Sequence, residues 1–226
     1  MRICHGQITL AEMEGDAESR SARARTAPLI SVEPHKATVQ QADAIAQVLA
    51  LALYEDPPNL WAFPDAERRR EILPSFMRVF VEASIRANEA YTVDDQSAAC
   101  LWFPPGWEMT EQEASSFEAA VRTATGDYAD PGPLTIVGLM AEHHPTEPHY
   151  YLAFAGTHPH HQGQGIGSAL IKAVLDRCDD RRLPAYLEAS ADRNRRLYER
   201  LGFQVRARID LPGGPPMWGM WRDPMR

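Results

Sequence analysis

The chain has 226 residues and a formal charge of −8, with 44% hydrophobic and 24% charged residues. That composition fits a globular chain with a sizeable core. The acidic balance argues against nucleic acid as a partner, because phosphates call for a basic face, and suits a cationic or neutral small ligand. No run reaches the ~18 apolar residues of a membrane span, so no membrane association is expected. The N-terminal stretch MRICHGQITLAEMEGD has no continuous apolar segment and carries acids early. It reads against a secretory leader and for a cytoplasmic protein. Cys4, Cys100 and Cys178 are far apart and lack C-x-x-C spacing. Neither a disulfide framework nor a zinc knuckle is expected.

Residues 1–27 are polar and read as a flexible N-terminal tail, leaving one domain over 28–226. LISVEP, 29–34, is a strand candidate. Val39, Ala42, Ile45, Ala46, Leu49 and Leu53 recur at helical spacing. EDPPNLWAFPD, 55–65, breaks that helix and reads as a loop exposing Trp61 and Phe63. A second helix passes through Phe76, Val79, Phe80 and Ala83, with Pro74 kinking it or lying in its first turn. AYTVDD and AACLWFPP predict an antiparallel hairpin. Thr110 and Glu113 predict a capping box that opens a helix to about Thr125. A short helix follows over 134–142, then a strand over 149–157, a helix over 165–178, a strand over 185–190 and a helix over 191–200. FQVRARIDL alternates, placing Phe203, Val205, Ala207, Ile209 and Leu211 on one face, and PGGP returns the chain through MWGMW. The predicted class is α+β (mixed α/β): a largely antiparallel sheet flanked by helices, with one strand–loop–helix–strand unit in the second half.

That unit contains HPHHQGQGIGSAL, 158–170. Gly163, Gly165 and Gly167 strip the loop of side chains just before a helix whose apolar face, Ile166, Ala169, Leu170, Ala173 and Val174, anchors it in the core. Bare backbone beside a helix N-terminus favours an anion, and a pyrophosphate above all. The G-x-G-x-x-G fingerprint and the P-loop both fail on this sequence, which excludes the common nucleotide-binding patterns.

Gln162-x-x-Gly165-x-Gly167 and, downstream, LYERLGF (197–203) together resemble the two hallmarks of the GNAT superfamily of acyl-CoA-dependent N-acyltransferases. The resemblance runs from about residue 29 to the end. EPHYYLAFAGTHPHHQGQGIGSAL, PAYLEASADRNRRLYERLGF and LPGGPPMWGMWRDP look closest to the puromycin N-acetyltransferase-like branch. It implies the GNAT fold, with central strands splayed into a CoA cleft. It also implies acetyl-CoA as donor, no metal, and transfer to a primary amine of a small molecule, aminonucleoside-like or otherwise, in a ternary complex. Alternatives are a peptide or protein N-acetyltransferase and a CoA-binding sensor without chemistry. The chain would act as a monomer or a homodimer.

The resemblance assigns Ala155, Gly156 and Thr157 to backbone pairing with the pantetheine arm. It assigns Gln162, Gly163, Gln164, Gly165, Ile166 and Gly167 to the pyrophosphate, and Asn194 to a polar contact with the arm. Tyr198 is the implied general acid, since a phenol of pKa about 10 can protonate a departing thiolate at neutral pH. For the base the candidates are His149, Glu188 and, third, Glu142; Glu188 could instead hold the substrate cation. Trp61, Phe63, Trp102, Phe103, Trp107 and Tyr150 are candidates to line the acceptor groove, with Trp102 better suited to the core. Six of eight histidines lie between His143 and His161. Their spacings do not form a zinc site, and His158, His160 and His161 read as the lip of the phosphate loop.

Overall fold

The computed structural model describes residues 33–128 and 132–225. The expected tail, Cys4 and most of the strand expected at 29–34 lie outside them. Helices α1 (Ala42–Ala52), α2 (Pro57–Ala62), α3 (Ala66–Arg86), α4 (Glu111–Thr125), α5 (Pro133–His143), α6 (Ile166–Arg181) and α7 (Asp192–Arg200) accompany seven strands. The strands are β1 (His35–Lys36), β2 (Ala90–Thr92), β3 (Ala98–Phe103), β4 (Tyr150–Thr157), β5 (Ala185–Ala189), β6 (Gln204–Asp210) and β7 (Pro216–Arg222). They form one sheet in the order β1-β2-β3-β4-β5-β7-β6. Only β4 and β5 run parallel; every other neighbouring pair is antiparallel. No helix among the described residues is long and apolar enough to cross a membrane.

The sheet is covered on both faces at its centre, and strand parity divides the core. From β3, Cys100 and Trp102 pack with Leu170, Val174 and Cys178 of α6. Ala99 and Leu101 pack on the opposite face with Ile45 and Leu49 of α1 and Phe76 and Met77 of α3. The Thr110–Glu113 capping box forms as expected: the Thr110 amide donates to Glu113 at 2.8 Å, and the Glu113 amide donates to the Thr110 hydroxyl at 3.3 Å.

Two β-bulges give the middle and the edge of the sheet their shape. β3 pairs Leu101 with Phe154 but Trp102 with Leu152, so Ala153 of β4 is the extra residue. β4 pairs with β5 only from Tyr150 to Leu152. Beyond the bulge it turns away, and the β5-facing backbone of Ala153–Thr157 has no strand beside it among the described residues. The expected splay of the central strands is therefore made at Ala153. The second bulge corrects an expectation. Val205 pairs with Met220 and Ala207 with Gly219, leaving Arg206 as an inserted residue that reverses parity. Phe203 joins the core under α6, Ile209 and Leu211 join a separate cluster with Met217, and Val205 is 42% exposed. The five apolar residues do not share one buried face.

The Pro-rich segment is also corrected. Asp56 at the N-cap and two prolines at the helix start build α2 instead of a loop. Phe63 is buried rather than exposed, packed edge-on against Phe76 with ring centroids 5.7 Å apart. Pro74 lies inside α3, past its first turn.

Candidate active site

The glycine-rich loop leaves β4, passes one short 3-10 turn at Pro159–His161, and enters α6 at Gly165. Gly163 and Gly165 hold φ of +77° and +82°, the left-handed region that side chains rarely adopt, and a Cβ at either would stand in open space. Gly167 serves differently: a Cβ there would meet the Thr157 hydroxyl at 2.9 Å, so its absence lets α6 pack close to β4. The first turn of α6 carries no acidic side chain to occupy its free N–H groups. Open space over two glycines, a free helix N-terminus and the unpaired edge of β4 together fit a pyrophosphate with an extended amide arm. A Gly165→Asp protein is expected to lose CoA affinity by about tenfold or more in calorimetry, through backbone strain and a carboxylate aimed at the anion site. A folded variant that binds CoA normally would move the donor site elsewhere.

Several predicted contacts serve the loop in other ways than expected. Ile166 is 5% exposed and packs into the core, leaving only its backbone for a ligand. The Gln162 side chain points back, donating to the Thr157 carbonyl at 3.1 Å and accepting from Arg193 at 3.1 Å. Gln164 donates to the His160 carbonyl at 3.4 Å. Gly156 is a packing glycine, since a Cβ would lie 2.8 Å from that of Ala52 in α1. Arg193, which the sequence reading did not single out, brings an exposed guanidinium to the loop.

A cleft of about 840 Å³ opens where β4 and β5 part. Ala155, Asn194 and Tyr198 line it. On the far wall Phe80 contacts Phe117 and Phe154, with ring centroids 5.1 and 4.8 Å away, and Phe103 lies 4.3 Å from Trp107. Of the expected groove aromatics, Phe63, Phe103 and Trp107 line the cleft. Trp61 does not; it packs against the β6–β7 turn, where a Cβ on Gly214 would approach it to 2.6 Å. Trp102 is core. Tyr150 is core too, 1% exposed, with its hydroxyl accepting from Arg181 at 2.8 Å; its neighbour Tyr151, of opposite parity, faces the cleft instead.

Tyr198 sits on α7 one turn after Asn194, so the two side chains share a face. Asn194 donates to the Ser190 hydroxyl at 3.3 Å, and Ser190 donates to the Asp56 carboxylate at 2.8 Å. Asp56, like Arg193, is not among the site residues expected from the sequence. It occupies the N-cap of α2 but makes no side-chain capping bond, and its carboxylate turns into the cleft. Burial raises its pKa to about 6, against the opposing pull of the Ser190 hydroxyl. Burial and the Asp56 charge hold the Tyr198 phenol above its ordinary range, so it keeps its proton at neutral pH.

The expected bases stand at the other end of the cleft. Glu188, on the cleft face of β5, has a side chain only 1% exposed, and neither carboxylate oxygen has a hydrogen-bond partner among the described residues. Burial pushes its pKa to about 7, although the hydroxyls of Tyr151 and Tyr186 lie close enough to draw it down. The Tyr186 hydroxyl is given room by Gly219, where a Cβ would meet it at 2.7 Å. Both ring nitrogens of His149 are engaged: its Nδ1 lies 2.6 Å from the Glu147 carbonyl and its Nε2 3.1 Å from His144 Nε2. Burial lowers the pKa of both imidazoles, that of His144 to about 4. Glu142 is exposed and does not line the cleft. Cys100 and Cys178 are buried free thiols whose pKa burial pushes up to about 12, far from the activated thiolate of a nucleophile. Among the described residues no group of three or more His, Cys, Asp or Glu is arranged to hold a metal ion.

Residues 96–203, just under half of the chain, match the model of the acetyltransferase (GNAT) family. An uncharacterized N-acetyltransferase of Schizosaccharomyces pombe is 39% identical over 62 residues, which are 27% of this chain and 25% of that protein. The match therefore spans about a quarter of that relative's length. Among solved structures, a histone acetyltransferase HPA2 and related acetyltransferase from Corynebacterium glutamicum ATCC 13032 superposes with a TM-score of 0.67 at 24% identity, over 87% of this chain and 98% of that one. Arylalkylamine N-acetyltransferase 2 from Aedes aegypti gives 0.57 at 11% identity, over 85% and 99%. A polyamine N-acetyltransferase from Drosophila melanogaster, which forms N-acetylagmatine, gives 0.56 at 13%, over 85% and 100%. These likenesses establish a shared fold.

Proposed function

We propose that this chain, whose residues 96–203 match the acetyltransferase (GNAT) family model, transfers an acetyl group from acetyl-CoA to the primary amine of a small cationic molecule, by direct attack within a ternary complex. The observation that carries this reading is the hydrogen-bonded run Asp56–Ser190–Asn194, which ends one helical turn from Tyr198 inside the cleft made by the β4–β5 splay. Asp56 and Tyr198 line the same cleft, which supports pairing them as proton acceptor and proton donor.

Acetyl-CoA supplies an activated thioester. The reacting amine attacks as the free base, its ammonium proton released to bulk solvent; its nitrogen forms the new C–N bond, the C–S bond breaks, and the nitrogen gives up one further proton. Asp56 takes that proton. A carboxylate with pKa about 6 is mostly ionised at neutral pH and is a stronger base than an ordinary one. Tyr198 gives its phenolic proton to the departing sulfur. Ser190 and Asn194 fix the Asp56 carboxylate and the mouth of the pantetheine channel relative to each other. Ala155 offers backbone on the unpaired edge of β4, and the Gly163–Gly167 loop with Arg193 receives the phosphates. His149 is a positioning residue, bound at both nitrogens.

The test is thiol release from acetyl-CoA across a panel of alkylamines, arylalkylamines, aminonucleosides and peptide N-termini. Turnover with small amines and not with peptides supports the proposal. CoA binding without turnover on any member would instead make the domain a CoA sensor, and turnover confined to peptides would make it a peptide N-acetyltransferase.

A further inference from the structure

Glu188 has no role in the proton path just described, yet it is a buried carboxylate with no counter-ion among the described residues. Its carboxylate is almost wholly buried, faces the cavity, and lacks a hydrogen-bond partner among the described residues. Within the described residues, the cleft is lined by Asp56, Glu108, Glu147 and Glu188 and by no lysine or arginine. Of these, Glu147 is exposed and already pairs with Arg206 at 3.4 Å. A buried carboxylate without a counter-ion is costly, and the cost is relieved when a ligand brings the cation.

The Tyr151 and Tyr186 hydroxyls beside it are neutral, and the basic side chain that approaches it does not neutralise it. His144 Nδ1 stands 4.0 Å from the Glu188 carboxylate, too far for a direct hydrogen bond. Its tautomer follows from its neighbours. His149 Nδ1 donates to the Glu147 carbonyl, so His149 Nε2 must accept, and His144 Nε2 must donate to it. That leaves His144 Nδ1 as a bare lone pair next to Glu188. Two acceptors 4.0 Å apart lie close enough to share one ammonium group, each at an N–H···O or N–H···N distance of about 2.8–3.0 Å.

We propose that Glu188 and His144 form a second ammonium subsite, so that the preferred acceptor is a short aliphatic diamine or similar dication, with one amine reacting near Asp56 and the other bound between Glu188 and His144. This rests on the acetyltransferase reading above and narrows its substrate class. The spacing follows from the strand. Glu188 and Ser190 lie two residues apart and both face the cleft, a rise of about 6.6 Å, and Asp56 is held on Ser190 at 2.8 Å. A spacer of about four methylenes spans that distance, and its apolar body lies along Tyr151 and Phe154.

The experiment compares 1,4-diaminobutane with butylamine on the full-length protein. Thiol release measures kcat/KM for each, and calorimetry measures the binding of each to the protein saturated with CoA. The diamine is expected to be favoured about 10- to 100-fold in both readouts, the range of a hydrogen bond to a charged group. Glu188→Gln should bring the ratio close to one, and His144→Phe should reduce it several-fold. Equal binding and equal turnover of the two amines would overturn the subsite while leaving the acetyltransferase reading intact. A diamine preference in binding that depends on Glu188, without turnover of either amine, would uphold the subsite and overturn the reading. A preference that survives in Glu188→Gln would overturn the assignment to this residue.

Discussion

Replacing Tyr198 with phenylalanine is expected to leave CoA affinity unchanged and to lower turnover about 10²–10⁴-fold, the range for loss of a general acid. The substitution removes one oxygen. The ring stays against Phe203, whose centroid lies 6.0 Å away, so the core under α6 keeps its packing. The hydroxyl has no hydrogen-bond partner among the described residues whose loss would disturb the fold, and its surroundings keep it protonated through the neutral range. The loss should be largest with poor leaving groups and small with an activated thioester that departs unaided. A Tyr198→Phe enzyme within a few-fold of the original rate would assign protonation of the sulfur to solvent.

The parts of this site that the sequence reveals are those written in contiguous chemistry. Three glycines before an apolar helix, and a tyrosine inside LYERLGF, mark the proposed phosphate loop and proton donor at fixed offsets, and each is built from residues next to one another. What stays hidden depends on parity or on tertiary approach. A single inserted residue reverses every side chain beyond it, so the bulges at Ala153 and Arg206 leave no periodic trace. For the same reason Tyr150 resembles a groove residue in the sequence, although Tyr151 is the one that faces the cleft. Asp56 has a local signal, an acid immediately before two prolines that mark a helix start. Its importance comes from Ser190, 134 residues away, which turns the carboxylate from capping α2 to facing the cleft. Likewise HHPTEPH displays its histidines openly, but their pairing and the approach of His144 to Glu188 follow from how α5, β4 and β5 meet.

Asp56→Asn is expected to be nearly inactive and more stable than the parent protein. The amide is close in shape to the carboxylate and can still accept from Ser190, but it cannot take a proton. Turnover should fall about 10²–10⁴-fold, and the acid limb of the rate profile, set near pH 6 by this group, should disappear from the residual activity. The stability change follows from the same shift. Asp56 holds its proton more tightly in the folded chain, at about 6, than in the unfolded one, at 3.8. Its contribution to stability is therefore fully present below pH 3.8 and is lost as pH rises through 6. At pH 7 the ionised carboxylate costs the folded state roughly 3 kcal/mol, a cost that the asparagine does not carry. Urea unfolding at pH 7 should show the variant ahead by about that amount, and the gap should close as the pH approaches 4. Lost activity together with gained stability excludes misfolding as the cause, the pattern expected when an acid is kept in an unfavourable place for its chemistry. A variant that stays active with the acid limb intact would remove Asp56 from the proton path and pass the base to Glu188.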